Sequence, residues 1–154
     1  MKTDLQIIQE TLKQKLYKYV ERNNPDILND LGEVHVIGIY IENKVAGIAN
    51  LLKQLKESNT PLHILEDLCM EKLTKDLKPS RYNYIMSILE ENFEFAHQQL
   101  QKSGILEYEV SNMIACCEPL FQAFGFTVES EDNRQLKHAV IATIDKCLCN
   151  TSVR

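Results

Sequence analysis

Seven apolar residues between Val34 and Leu55 fall at steps of three or four: Val34, Ile37, Ile41, Val45, Ile48, Leu52 and Leu55. An α-helix puts residues so spaced on one face, whereas a strand alternates with a period of two and loses that phase within a few residues. The segment opens with a β-branched run, Val34-His35-Val36-Ile37-Gly38-Ile39-Tyr40-Ile41, which has the composition of a strand. Phase and length decide for a helix over residues 34–56. Gly38 and Gly47 each weaken that helix by about 1 kcal/mol relative to Ala. They also bare the backbone for a close-packed neighbour.

The same rhythm recurs along the chain, and the breakers are few: 5 Gly and 4 Pro in 154 residues. β-rich folds use turn residues at much shorter intervals. Thr3 or Asp4 can cap a first helix reaching about Arg22, with Leu5, Ile8, Leu12, Leu16 and Tyr19 on one stripe. Asn24 and Pro25 start a short helix that Gly32 can end. Thr60 and Pro61 start another, lined by Leu65, Leu68, Cys69, Leu73 and Leu77. Ser80 caps a long helix closed by Gly104, with Ile85, Ile88, Leu89, Phe93, Ala96 and Leu100 inward. The next runs from Leu106 to Phe124, and Pro119 inside it is expected to kink or split it. Ser130 or Asp132 can cap the last, lined by Leu136, Val140, Ile144, Cys147 and Leu148, with residues 150–154 fraying. The pattern predicts an all-α fold: one helical domain over residues 1–154, an array or bundle of six to seven helices.

Charge and cysteine usage narrow the setting. The net charge is −5, and it is uneven. Residues 1–81 carry 12 basic and 12 acidic side chains, and residues 82–154 carry 5 and 10. A net acidic chain is repelled by nucleic acid unless it builds a local basic patch. No apolar run approaches the roughly 20 residues that cross a bilayer, and the N-terminus lacks a signal-peptide core. Five cysteines are an odd count for a disulfide framework. A cytoplasmic protein without membrane association is expected.

Candidate chemistry is thin. Cys116-Cys117, Cys147-Leu148-Cys149 and His138 invite zinc. On helices, however, Cys147 and Cys149 point about 200° apart and Cys116 and Cys117 about 100° apart. Glu94-Phe95-Ala96-His97 has the Glu-x-x-His spacing of di-iron bundles, but it occurs once rather than on two helices. No cysteine has a His and an acid at a motif spacing. The sequence therefore singles out no catalytic residue, no metal ligand and no cofactor, and a non-enzymatic protein is expected.

One local pattern has the chemistry of DNA contact. Lys72, Lys75, Lys78 and Arg81 form a basic stripe ending at the Lys78-Pro79-Ser80 turn, and Asn83 follows in the next helix. Helix, turn and helix in that order resemble a helix-turn-helix corner over residues 72–83, where Arg81 and Asn83 suit base edges. Against it, the turn lacks glycine, Asp76 dilutes the patch, and the second helix is expected to be twice the usual length.

The stretch 62–93 with its Pro79-Ser80-Arg81-Tyr82 segment, the run Cys117-Glu118-Pro119-Leu120-Phe121, and the helix around 141–148 resemble a bacterial domain-of-unknown-function family of small helical proteins, often encoded near mobile or conjugative elements. The similarity covers about two-thirds of the chain. In that family an aromatic residue often follows the Ile-Leu pair, whereas here Glu90 follows Ile88-Leu89. The resemblance implies helices throughout, residues 34–56 included, and implies no activity.

Three readings follow. The leading one is a protein-interaction module acting on an unknown partner or on itself as a homo-oligomer. It rests on apolar residues off the main stripes, Ile7, Val20, Ile39, Ile64 and Ile141, and on tyrosines beside them. The alternative is a DNA-associated protein using Lys72, Lys75, Lys78, Arg81 and Asn83. A third reading is a small-ligand pocket near Pro119.

Overall fold

A computed structural model describes residues 2–151. Among them are nine α-helices, one short 3-10 turn and no strand. The helices are α1 (Asp4–Asn23), α2 (Pro25–Leu31), α3 (Val34–Ala46), α4 (Ala49–Glu57), α5 (Leu62–Thr74), α6 (Arg81–Asn92), α7 (Glu94–Ser103), α8 (Leu106–Phe124) and α9 (Arg134–Thr151), with the 3-10 turn at Lys75–Leu77. No described helix is long and apolar enough to cross a membrane.

The chain is all-α, with nine described helices rather than six to seven. Two long helices are each cut once. The predicted helix over 34–56 is helical but breaks at Gly47 and Ile48, where Ile48 leaves the helical region at φ −107°, ψ 17°. The helix expected to run from Ser80 to Gly104 breaks at Phe93, with φ −137° and ψ 51°. Just before it, Asn92 Nδ2 donates to the Ile88 carbonyl at 3.2 Å, a side-chain bond of the kind that competes with helix propagation. Pro119 does not divide α8, which runs unbroken from Leu106 to Phe124.

The ends follow local chemistry. Thr3 and Gln6 form a reciprocal capping box: Gln6 N donates to Thr3 Oγ1 at 3.2 Å and Thr3 N to Gln6 Oε1 at 2.9 Å. Ser80 Oγ accepts from Asn83 N at 3.0 Å, as expected. Pro61 precedes α5 instead of opening it. Asn133, rather than Ser130 or Asp132, caps α9: its Oδ1 accepts from Leu136 N at 2.9 Å. Ser130 is occupied within its own turn, where its hydroxyl donates to the Gly125 carbonyl at 2.7 Å. Asn150 is helical, and residues 152–154 of the tail expected to fray lie outside the described residues.

The helices group into two compact units. The first comprises residues 1–22 and Asp30–Leu77. Its buried side chains are Ile8, Leu12, Leu16 and Val20 of α1, Ile41 and Val45 of α3, Ile48, Leu52, and Leu65, Cys69 and Leu73 of α5. Lys15 pairs with Glu66 at 2.6 Å between α1 and α5, and Lys44 with Asp76 at 2.7 Å. Both pairs are partly exposed, so each contributes at most about 1 kcal/mol and apolar burial dominates.

The second unit comprises Asn23–Asn29 and residues 78–154. Its core is one cluster: Ile85, Ile88 and Leu89 of α6, Ala96 and Leu100 of α7, Val110, Met113, Ile114, Cys117 and Phe121 of α8, and Leu136, Val140, Ile144 and Leu148 of α9. Asn29 Nδ2 donates to Ser111 Oγ at 3.1 Å and fastens the 23–29 segment to α8.

Gly104 ends α7 at φ +75°, and a Cβ there would meet nothing within 4 Å. Gly104→Ala therefore isolates the backbone cost of the left-handed conformation, about 1–2 kcal/mol. Equilibrium urea unfolding should show a loss of that size with an unchanged slope. An unchanged midpoint would show that Gly104 is not held left-handed.

Candidate functional site

The five residues predicted for DNA contact divide between the units. Lys72 on α5 and Lys75 in the 3-10 turn belong to the first, and Lys78, Arg81 and Asn83 to the second. Lys72 and Lys75 line a shallow groove of about 640 Å³ together with Lys44, Gly47, Ile48 and Asp76. Arg81 is engaged inside its own unit: its guanidinium pairs with Glu118 and lies 5.2 Å from the centre of the Phe121 ring. Asn83 Nδ2 donates to Asn23 Oδ1 at 3.1 Å. The two side chains best suited to reading bases thus already have intramolecular partners. Helix α6, at 12 residues, is not the double-length helix expected after the turn.

A groove of about 910 Å³ occupies the second unit. Its walls are the Lys78-Pro79-Ser80 turn, one face of α6 with Tyr84, Ser87 and Glu91, the 126–133 connection, and the start of α9. Arg134, Lys137 and His138 bring positive or protonatable groups to it, and Glu91, Glu131 and Asp132 bring carboxylates. Lys137 Nζ lies 3.5 Å from Glu91 Oε2. The Tyr84 hydroxyl is buried without a hydrogen-bond partner among the described residues. Burial raises its pKa, and the nearby Cys117, Asp132 and Glu131 add to that. Its ring is held edge-on against Phe121 and Phe126, at centroid distances of 6.0 and 5.0 Å. Two stretches well apart in sequence, 78–92 and 128–141, build this groove, so no local motif announced it. Pro119, where a ligand pocket was expected, lines neither this groove nor its smaller neighbour around Phe93 and Ala142.

The first unit has an apolar groove of about 410 Å³ between α1 and α3. Tyr17, Val34, Ile37, Gly38 and Ile41 line it, with Lys13 and Lys18 on the α1 rim and Glu42 on the α3 rim. Val34 is 87% exposed. A Cβ built on Gly38 would meet nothing within 4 Å, so none of the described residues uses the close approach that the glycine permits.

The remaining candidates sort as follows. Ile7, Ile39 and Ile64 are exposed, as their position off the stripes implied. Val20 is a correction: it is fully buried, because the face of α1 that packs inward includes it. Ile141 is also partly buried, against the second unit's core. Tyr17 and Tyr108 are exposed, while burial raises the phenol pKa of Tyr19, Tyr40, Tyr82 and Tyr84. His97 lies 3.7 Å from Glu90, on the preceding helix. Among the described residues, no group of three or more His, Cys, Asp or Glu is arranged to hold a metal ion. Burial pushes the thiols of Cys117 and Cys147 up, to about 12 and about 11, and neighbouring cysteines add to the rise. No protein-family model matches this chain, and neither a curated protein nor a solved structure matches it.

Arg81 joins α6 to α8 through the partly exposed Glu118 carboxylate and the face of the buried Phe121 ring. Arg81→Ala should lower the stability of the second unit by about 1 kcal/mol, and Arg81→Lys should restore less than half of it, because an ammonium lacks the planar fork. Urea titration of both variants checks this, and full recovery by Lys would show that charge alone matters.

Proposed function

We propose that this chain is a non-enzymatic helical module that works by protein contact, and that its contact surface is the apolar groove between α1 and α3, filled by α3 of a second copy. The observation that carries the reading is a knob beside a hole on one helix. Val34 stands 87% exposed at one position, and Gly38 leaves open space one turn later. Residues four apart lie on the same helix face. Two α3 helices meeting antiparallel about a two-fold axis would place each Val34 over the other's Gly38. A two-fold interface needs such self-complementarity. The rims differ in sign, Lys13 and Lys18 against Glu42, which favours one orientation of the incoming helix.

The test separates association from folding. Nothing crowds Gly38 in the chain itself, so Gly38→Ala should stabilise the monomer by about 1 kcal/mol through helix propensity. The same methyl would fill the hole and should weaken dimerisation by at least about tenfold. Sedimentation equilibrium of wild type, Gly38→Ala and Val34→Asp reads both effects alongside thermal unfolding. Association that tolerates high salt and falls in both variants supports the proposal. A wild type that stays monomeric at high micromolar concentration defeats it. Should the wild type instead bind duplex DNA with a steep salt dependence, about one log unit of slope per phosphate contact, and lose it on Lys75→Glu with Lys78→Glu, the DNA-associated reading takes its place.

A further inference from the structure

The groove of the second unit holds more charge than it neutralises. Lys78, Arg134 and Lys137 bring cations to it, and Glu91, Glu131 and Asp132 bring carboxylates. One pair closes: Lys137 Nζ lies 3.5 Å from Glu91 Oε2. Among the described residues, Lys78, Arg134, Glu131 and Asp132 have no ion pair. Asp132 and Arg134 stand on either side of the Asn133 cap of α9 and still form no pair. One concavity therefore presents two unpaired cations and two unpaired carboxylates.

That pattern selects a kind of ligand. A lone anion entering the groove meets Glu131 and Asp132, and a lone cation meets Lys78 and Arg134. A molecule with a charge of each sign can satisfy both pairs, whereas ions of a single sign are opposed by one of them. The volume of about 910 Å³ lies in the upper part of the range for small-molecule sites, roughly 300–1,000 Å³. Ile88, Ile141 and Val128, the last 55% exposed, add apolar surface to the same walls. Tyr84 lines the groove too, and its hydroxyl is buried with no hydrogen-bond partner among the described residues. A buried hydroxyl left unpaired is destabilising, and a carbonyl on a bound molecule would supply the missing acceptor.

We infer that this groove binds a short peptide by its free termini. The peptide carboxylate pairs with Arg134 and Lys78, the peptide ammonium with Glu131 and Asp132, and a backbone carbonyl between them accepts from the Tyr84 hydroxyl. Arginine suits the carboxylate because its planar fork can donate two parallel hydrogen bonds. A free amino acid carries both charges on one carbon and has no amide carbonyl between them, so it satisfies fewer of these groups. The site shares no residue with the groove between α1 and α3, so its test does not depend on self-association.

The experiment titrates the isotope-labelled full-length chain by NMR with a mixed-sequence tripeptide pool bearing free termini. The controls are the same pool N-acetylated, the same pool C-amidated, and inorganic phosphate. The free pool should give saturable amide shifts concentrated in residues 78–92 and 128–141. Each blocked pool should bind at least about tenfold more weakly, the loss expected for one charge-assisted contact. Arg134 and Asp132 are exposed, so replacing them leaves the fold intact. Arg134→Gln should reduce the discrimination against the amidated pool, and Asp132→Asn that against the acetylated pool. Tyr84→Phe should unfold at an equal or higher temperature yet bind the free pool more weakly, because its hydroxyl gains a partner only from the peptide. No saturable shift in these two stretches at low millimolar pool, or equal binding of free and blocked pools, overturns the inference. Phosphate saturating the same shifts would make this an anion site and overturn it as well. Undiminished binding by Tyr84→Phe would remove the hydroxyl from the site.

Discussion

The second unit depends on the burial of one face of α8. Val110, Met113, Ile114, Cys117 and Phe121 fall three or four residues apart and turn toward α6, α7 and α9. Each of those helices is amphipathic and needs a partner for its apolar stripe. With the α8 face present, all three stripes are covered by a single element, and Phe121 is buried within it. It packs against Phe126 at 4.7 Å, against Tyr84 edge-on, and under the Arg81 guanidinium. The groove of the unit inherits its geometry from this packing, since Tyr84 lines that groove and its ring is fixed by Phe121.

The helical class, the order of segments and most core residues were legible because helix burial writes a period into the sequence, although Val34 and Leu68, which fall on the apolar stripes, are exposed. The two breaks were not, and the reason is geometric. Val45, Ile48 and Leu52 are all buried, at steps of three and four, although the helix ends between them. Leu89, Ala96 and Leu100 likewise remain in the core on either side of Phe93. A break that returns the chain to the same face leaves the hydrophobic rhythm intact, so periodicity alone cannot reveal it. What does reveal it is local hydrogen bonding, as at Asn92, and that depends on a rotamer the sequence does not specify. The fate of Val20 follows the same logic in reverse. It lies four residues beyond Leu16 and belongs with Ile8, Leu12 and Leu16, so counting from Tyr19 misassigned the stripe.

Sites were less legible than the fold because they are assembled across the chain. The stripe from Lys72 to Asn83 looked continuous in sequence, but its members are divided between two units, and Arg81 and Asn83 have intramolecular partners. The cysteines show the opposite case. Their spacing along each helix argues against any joint role, and that argument is correct within a helix. It is silent about Cys117 and Cys147, which lie on different helices, where Cys147 adds to the rise of the Cys117 thiol pKa only because α8 and α9 pack together.

Helix α3 carries more apolar surface than its own unit covers. It buries Ile41 and Val45, yet it leaves Val34, Val36 and Ile39 exposed, and Gly38 contributes no side chain at all. Helix α4, from the same predicted segment, buries Leu52 and presents Lys53, Gln54, Lys56 and Glu57 elsewhere. A helix that serves only its own core needs one apolar face, as α4 has. The β-branched run that first resembled a strand is this surplus: apolar residues on successive positions occupy all sides of a helix rather than one stripe. Scattered exposed apolar side chains need no explanation, whereas several grouped on one helix beside an apolar groove are the usual mark of a contact surface. The residues that blurred the secondary structure in the sequence thus include those that α3 leaves exposed in the fold.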